Sequence, residues 1–309
     1  MKPDLLIRMP LADEYVSLLA ENFAVHYAPN DEAFAGLSPA VRATVRAVLV
    51  RGPVKLTRAD IETLPRLELI HNMGAGVDSV DLVAARDRNI AVSSGSGTNA
   101  SSVADHAMGL TLAMLRNIPA SDAAVRTGGW PAVDRPLLTG KRIGILGLGE
   151  IGMAYARRVA GFDTTVFYHN RKPRADVAFQ YCASAGELAA QSDIVMIAAP
   201  GGEATLHLVN AEVLSRLGPQ GYLVNVGRGS IVDTAALAEA LQRGTIAGAG
   251  LDVFEGEPKL PEILRNAPNL VLTPHMAGRS LESIAASGKR ATDNLLGFFA
   301  GLPLLGRVI

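Results

Sequence analysis

Gly147-Leu148-Gly149-Glu150-Ile151-Gly152 spaces three glycines in the way a chain needs in order to grip a dinucleotide. The first glycine permits a tight turn, the second lets the backbone approach a pyrophosphate, and the third lets a helix pack closely on the preceding strand. Flanking context decides how much the pattern means. Here Arg142 to Leu146 reads as a buried strand and Ile151 to Val159 as the following helix, whose first amides, around Glu150 and Ile151, would face the phosphates. A glycine turn in an unrelated α/β protein would lack that context. At the end of the next strand, Val166-Phe167-Tyr168 runs into His169-Asn170-Arg171-Lys172, with no acid before Asp176. An enzyme using NAD usually carries an Asp or Glu about 20 residues beyond the motif, on the ribose 2′-hydroxyl. A carboxylate would repel a 2′-phosphate, whereas a guanidinium holds it with charge-assisted bonds. Asn170, Arg171 and Lys172 are therefore the expected NADP(H) contacts, the alternative being a solvated basic loop. Arg228, between Gly227 and Gly229 after a further strand, sits where α/β sheets bind ligands.

Such residues need parallel sheets beneath them, and the chain alternates accordingly. Leu5 to Ile7, Val45 to Val50 and Leu67 to Ile70 read as strands, and Asp13 to Asn22 as a helix between them. Thr164 to Tyr168, Ile194 to Ala198, Tyr222 to Val226 and Val271-Leu272 read as further strands, and Asp233 to Arg243 as an amphipathic helix ended by Gly244. The fold class is α/β, with helices on both faces of parallel sheets. Asn99 to Asn117 is a long helical pattern ending before Pro119, read as a crossing between domains, and Ser280 to Phe299 as the return. The expected division is residues 1–98 plus 281–309 as a substrate domain and 99–280 as a dinucleotide-binding domain. The apolar run Leu295 to Leu305 reads as a buried end, and Trp130 as a core or dimer contact.

At 309 residues the chain suits two domains, and 49% hydrophobic residues give ample core. A net charge of −1 argues against a general nucleic-acid binder. The single cysteine, Cys182, excludes a disulfide framework and a thiolate zinc site, and fits a reducing compartment. Asp4 and Arg8 interrupt the short apolar start, a poor signal peptide, and no apolar run is long enough for a membrane helix. The expectation is a cytoplasmic protein with no metal, no nucleic acid and no membrane partner.

Six signatures in order complete the pattern: Asn72-Met73-Gly74-Ala75-Gly76-Val77-Asp78, Val103-Ala104-Asp105-His106, the glycine motif, Asn225-Val226-Gly227-Arg228-Gly229, Leu251-Asp252-Val253-Phe254-Glu255-Gly256-Glu257-Pro258, and Leu272-Thr273-Pro274-His275. With them the chain resembles the D-isomer-specific 2-hydroxyacid dehydrogenases over nearly its whole length. The resemblance implies two Rossmann-like domains with the active site in the cleft between them, a homodimer formed through the dinucleotide domain, and reduction of a small 2-oxo acid. It implies a catalytic set of Arg228 for the substrate carboxylate and carbonyl, His275 as acid–base group and Glu257 as its supporting acid. Ala75 and Gly76 would receive the substrate carboxylate, together with Arg228 and His275. The implied cofactor contacts are Gly147, Gly149, Glu150, Ile151, Gly152, Asn170, Arg171, Lys172, Ala199, Pro200, Val226, Arg228, Asp252, His275 and Gly278, with Asp252 near the nicotinamide amide.

The chemistry is intelligible from residue types. Hydride addition to a ketone leaves an alkoxide, so a proton must arrive, and histidine can deliver one near neutral pH. A carboxylate stabilises the imidazolium, and an arginine binds the planar carboxylate and the charge growing on oxygen. Glu255 competes with Glu257 for the supporting role; the following proline matches the family at Glu257. His106 reads as a satisfied histidine on the crossing helix. Position 105 is Asp where the family commonly has Glu, Gly201 to Thr205 departs from the usual pattern, and Arg279 replaces an expected small residue. Arg279 is either a surface or dimer contact or a second cation facing the distal end of the substrate. Glyoxylate or hydroxypyruvate leads as substrate, with 2-ketogluconate or a phenylpyruvate-type acid as alternatives. Glu257 disfavours formate dehydrogenase, which has Gln there. A dinucleotide-sensing binding protein is the alternative of another class.

Overall fold

Alternate residues of the central strands face opposite ways, and in each half of the chain this builds a core on both faces of a parallel sheet. The computed structural model describes residues 2–309. The chain divides into two compact units, Met1–Asn99 with Ser280–Ile309, and Ala100–Arg279.

The first unit holds β1 (Asp4–Arg8), β2 (Ala24–Tyr27), β3 (Val45–Val50), β4 (Leu69–Asn72) and β5 (Ala91–Ser94), all parallel, in the order β2-β1-β3-β4-β5. Val48 and Val50 enter one core, Ala47 and Leu49 the other. The strand reading of 67–70 shifts to Leu69–Asn72, because Leu67 closes a turn onto Leu64 and the polar His71 and Asn72 are buried. The helix Leu281–Phe299 starts at Ser280, whose side chain accepts from the Ser283 amide in a capping box. The reading of 295–305 as a buried end needs correction. Leu295 is fully buried, but Leu302 and Leu305 are 62% and 52% exposed. The tail is held by its backbone instead: the Asn294 side chain donates to the Leu305 carbonyl and accepts from its amide, both at 2.8 Å.

The second unit holds β6 (Arg142–Leu146), β7 (Thr165–His169), β8 (Gln180–Tyr181), β9 (Ile194–Ile197), β10 (Tyr222–Asn225), β11 (Gly248–Leu251) and β12 (Leu270–Leu272). They form one parallel sheet in the order β12-β11-β10-β9-β6-β7-β8. The order reverses at β6, where a doubly wound sheet opens a crevice at its carboxyl edge. Ile194 and Met196 of β9 face one core, Val195 and Ile197 the other. The helix Ala100–Leu115 lies within this unit, against the Glu150–Val159 helix and β11. Helical structure does not stop at Pro119 as the sequence suggested. Asn117 turns left-handed at φ 52°, and a second helix, Ile118–Arg126, begins with the proline in its first turn, where no amide hydrogen is needed. Trp130 is 87% exposed, so the core reading of this residue is overturned. Its loop follows that second helix and carries no regular structure to fold the ring inward. Among the described residues, no helix is long and apolar enough to cross a membrane.

Candidate active site

The glycine motif occupies the turn from β6 into the Glu150–Val159 helix. Gly147 has φ +99°, and a Cβ there would lie 2.5 Å from the Ala199 nitrogen. A Cβ on Gly152 would lie 2.5 Å from the Gly147 carbonyl oxygen. The middle glycine is different: nothing lies within 4 Å of where a Cβ of Gly149 would stand. Gly149 is the helix N-cap and makes no side-chain cap. The open approach, the exposed Gly149 and Glu150, and first-turn amides that make no hydrogen bond among the described residues fit a pyrophosphate. Ile151 is half-buried behind them.

Beyond β7, the Asn170 side chain accepts from the Leu148 amide at 2.7 Å, tying this loop to the glycine turn. Arg171 and Lys172 are exposed, and neither side chain makes a hydrogen bond or ion pair with the described residues. The one nearby acid is spent: Asp176 pairs with Arg174, whose guanidinium holds the Asp176 carboxyl below its ordinary pKa. Arg174 also donates to the Leu148 carbonyl at 2.8 Å. No local pattern marks this third basic residue as occupied by its neighbours.

Three loops at the carboxyl edge of β9, β10 and β11 carry the remaining residues. Ala199 is buried and Pro200 exposed after β9. After β10, Val226 is buried, and the Asn225 side chain accepts from the Gly227 amide and donates to the Arg228 carbonyl, both at 3.0 Å. Arg228 is half-buried, with Nη1 donating to the Gly227 carbonyl at 2.8 Å. A Cβ on Gly229 would lie 2.2 Å from the Phe254 carbonyl carbon, so the Arg228 loop touches the β11 loop backbone to backbone.

In that β11 loop the two acids that competed in the sequence go different ways. Glu257 Oε2 lies 2.6 Å from His275 Nδ1, and its Oε1 accepts from the Phe254 amide at 2.8 Å. Glu255 instead faces His207 at 2.8 Å. The hydrogen bond to Glu257 raises the His275 pKa above its ordinary value, outweighing burial and the opposing charge of Arg228. Burial pushes the Glu257 carboxyl up, but the bonds from His275 and Phe254 leave it below its ordinary value.

His275 has φ +51°, unusual for a residue with a side chain, and its amide donates to the Asp252 carbonyl at 2.9 Å. Asp252 is 1% exposed. Its carboxylate accepts from the Thr273 hydroxyl at 2.7 Å and from the Met276 and Ala277 amides at 2.9 Å. It thus fixes the turn that presents His275, and Gly278 and the exposed Arg279 follow directly. His106 donates to or accepts from Thr273 at 2.8 Å and stands 3.4 Å from Asp252, satisfied within this same network.

In the first unit, Ala75 and Gly76 lie half-buried in the loop after β4. The Asn72 side chain donates from Nδ2 to the Gly74 carbonyl at 3.0 Å and to the Gly76 carbonyl at 2.6 Å. The Ala75 and Gly76 amides make no hydrogen bond with the described residues.

Residues 108–277 match the family described as D-isomer specific 2-hydroxyacid dehydrogenase, NAD binding domain. The chain belongs to this family. Its 2-ketogluconate reductase relative from Gluconobacter oxydans is 37% identical over 100% of this chain and 99% of its own length. The hydroxyphenylpyruvate reductase of Plectranthus scutellarioides is 40% identical over 86% of each chain. Among solved structures, an NADPH-dependent glyoxylate/hydroxypyruvate reductase from Sinorhizobium meliloti, in complex with NADP and malonate, superposes with a TM-score of 0.92. It is 38% identical, over 100% of this chain and 97% of that one. As a 2-hydroxyacid dehydrogenase the chain is an oxidoreductase that works with a nicotinamide dinucleotide.

Proposed function

We propose that the protein reduces glyoxylate or hydroxypyruvate to the 2-hydroxy acid at the expense of NADPH. The observation that carries this reading is the His275–Glu257 pair, 2.6 Å apart and within electrostatic reach of Arg228. Bound nicotinamide supplies hydride to the carbonyl carbon. When His275 is protonated, its Nδ1–H donates to Glu257 and its Nε2–H is left to donate to the carbonyl oxygen. The carbonyl gains hydride on carbon and a proton on oxygen, and neutral His275 remains. Arg228 holds the substrate carboxylate and the oxygen on which charge grows. Ala75 and Gly76 offer their amides to a substrate carboxylate. In this reading residues 99–280 bind the cofactor and residues 1–98 with 281–309 the substrate.

Support for NADPH over NADH comes from the unpaired Arg171 and Lys172 and from the commitment of Asp176 to Arg174. The Sinorhizobium relative, described as NADPH-dependent, points the same way. A homodimer is part of the proposal, supported by the exposed Ile118, Val125, Trp130, Val133 and Leu137 on one stretch of the second unit. A larger 2-oxo acid is the second reading, favoured by the names of the Gluconobacter and Plectranthus relatives. The test is a panel of glyoxylate, hydroxypyruvate, 2-ketogluconate and hydroxyphenylpyruvate, assayed with NADPH and with NADH. The highest kcat/KM for one of the two small acids with NADPH supports the proposal. A preference for a larger acid replaces the substrate, and cofactor binding without turnover would leave a dinucleotide-sensing protein.

A further inference from the structure

We infer that His207 is a positioning residue, clasping the loop that bears Arg228 against the loop that bears Glu257. Its role as such rests on the function proposed above, because only there do Arg228 and Glu257 act on one substrate.

Three consecutive loops leave the carboxyl edge of β9, β10 and β11, and one residue of the first reaches both of the others. The His207 amide donates to the Ser230 carbonyl in the β10 loop at 2.8 Å. Its ring Nε2 lies 2.8 Å from Glu255 Oε1 in the β11 loop. Glu255 closes the triangle: its Oε2 accepts from the Thr234 hydroxyl at 2.6 Å and the Thr234 amide at 3.3 Å, at the start of the helix that follows the Arg228 loop. Just beyond His207, the Val209 amide donates to Ile231 at 2.9 Å and the Asp233 amide to Val209 at 3.0 Å.

Two features show that this is more than a surface ion pair. His207 is held at φ +49°, a conformation that costs free energy in a residue with a side chain and is kept only where the surroundings enforce it. Gly229 lies so close to Phe254 and Glu255 that no side chain fits between the Arg228 and Glu257 loops, so a small displacement of either loop alters their packing. Glu255 is two residues from Glu257, so the same short segment that anchors His275 is anchored in turn by His207. The hydrogen bond to Glu255 also raises the His207 pKa, with Asp233 adding to the effect. The clasp thus gains charge in the range where the ring would otherwise lose it.

The test uses the full chain with NADPH and the best substrate of the panel. His207→Ala should lower kcat/KM about ten-fold through displacement of Arg228, with NADPH affinity changed less than about two-fold. His207→Gln, which can still donate to Glu255, should recover to within about three-fold of wild type. Adding Glu255→Ala to His207→Ala should cost no more than Glu255→Ala alone, since both break one clasp. Hydrogen exchange of the cofactor-free protein gives an arm independent of turnover: the amides of residues 226–233 should exchange faster in His207→Ala. Unchanged kcat/KM, equal loss of NADPH binding, no rescue by Gln, or losses that multiply would each overturn the inference. If the wild-type protein turns over no 2-oxo acid, the functional reading falls with the positioning role. Unchanged exchange at 226–233 would instead sink the clasp by itself.

Discussion

Replacing Glu257 by Gln keeps the size of the side chain and a hydrogen-bonding partner for His275 but removes the charge. The interaction at stake is a 2.6 Å bond from His275 Nδ1 to Glu257 Oε2. A hydrogen bond to a charged group contributes about 1.5–3 kcal/mol net. The His275 side chain is 54% exposed and that of Glu257 26%, so solvent screening brings the loss to roughly 1–2 kcal/mol. That corresponds to a factor of about 5–30 in the protonation equilibrium of the imidazole. The sign follows from the raised pKa of His275. The proton for reduction is fully available below that pKa and is lost as pH rises through it. In Glu257→Gln the alkaline fall in kcat/KM for reduction should therefore begin at lower pH, leaving the acid plateau nearer to wild type. Oxidation of the 2-hydroxy acid needs neutral His275, so its rise with pH should move the same way. Steady-state pH profiles in both directions measure this. Profiles that keep their wild-type midpoints would refute the claim that Glu257 holds the proton on His275.

Other expectations follow from the same geometry. Changing Arg171 and Lys172 together to Ala should raise KM for NADPH about ten-fold or more and leave KM for NADH nearly unchanged, since only a 2′-phosphate gives them a charged partner. Arg279→Ala should lower kcat/KM for hydroxypyruvate more than for glyoxylate, which has no distal group for a guanidinium to meet; an unchanged ratio would make Arg279 structural. Asp252→Ala should lower the unfolding free energy by roughly 3 kcal/mol in urea titrations, because it removes the acceptor of the half-buried Met276 amide and the buried Ala277 amide.

Much of the second unit could be read from the sequence because short continuous apolar runs and a glycine turn are local signals. Arg142–Leu146 and its helix follow directly from them. Val45–Val50 was legible for the same reason. Strand and helix ends were less so: β4 runs on through His71 and Asn72, polar residues buried by tertiary contacts that no local pattern reports. Exposure was the weakest reading. Trp130, Leu302 and Leu305 look like core by type, yet all three face solvent on segments without regular structure. At the candidate site, residue types marked His275 and Arg228. The Glu257-Pro258 pair favoured Glu257 over Glu255 only through the family resemblance; what no local pattern reports is that the loop between β11 and β12 sends these two acids, two residues apart, to different histidines. The turn-fixing work of Asp252 and the clasp through His207 were hidden as well, because each joins residues far apart in the chain.

If His275 delivers the proton in NADPH-driven reduction of a small 2-oxo acid, its removal must slow turnover without loosening the cofactor. The most direct measurement compares wild type and His275→Ala for turnover of glyoxylate and hydroxypyruvate, with NADPH binding followed in parallel. The expected result is a fall in kcat of about 10²–10⁴ with NADPH affinity retained. A His275→Ala enzyme that keeps near wild-type turnover would contradict it.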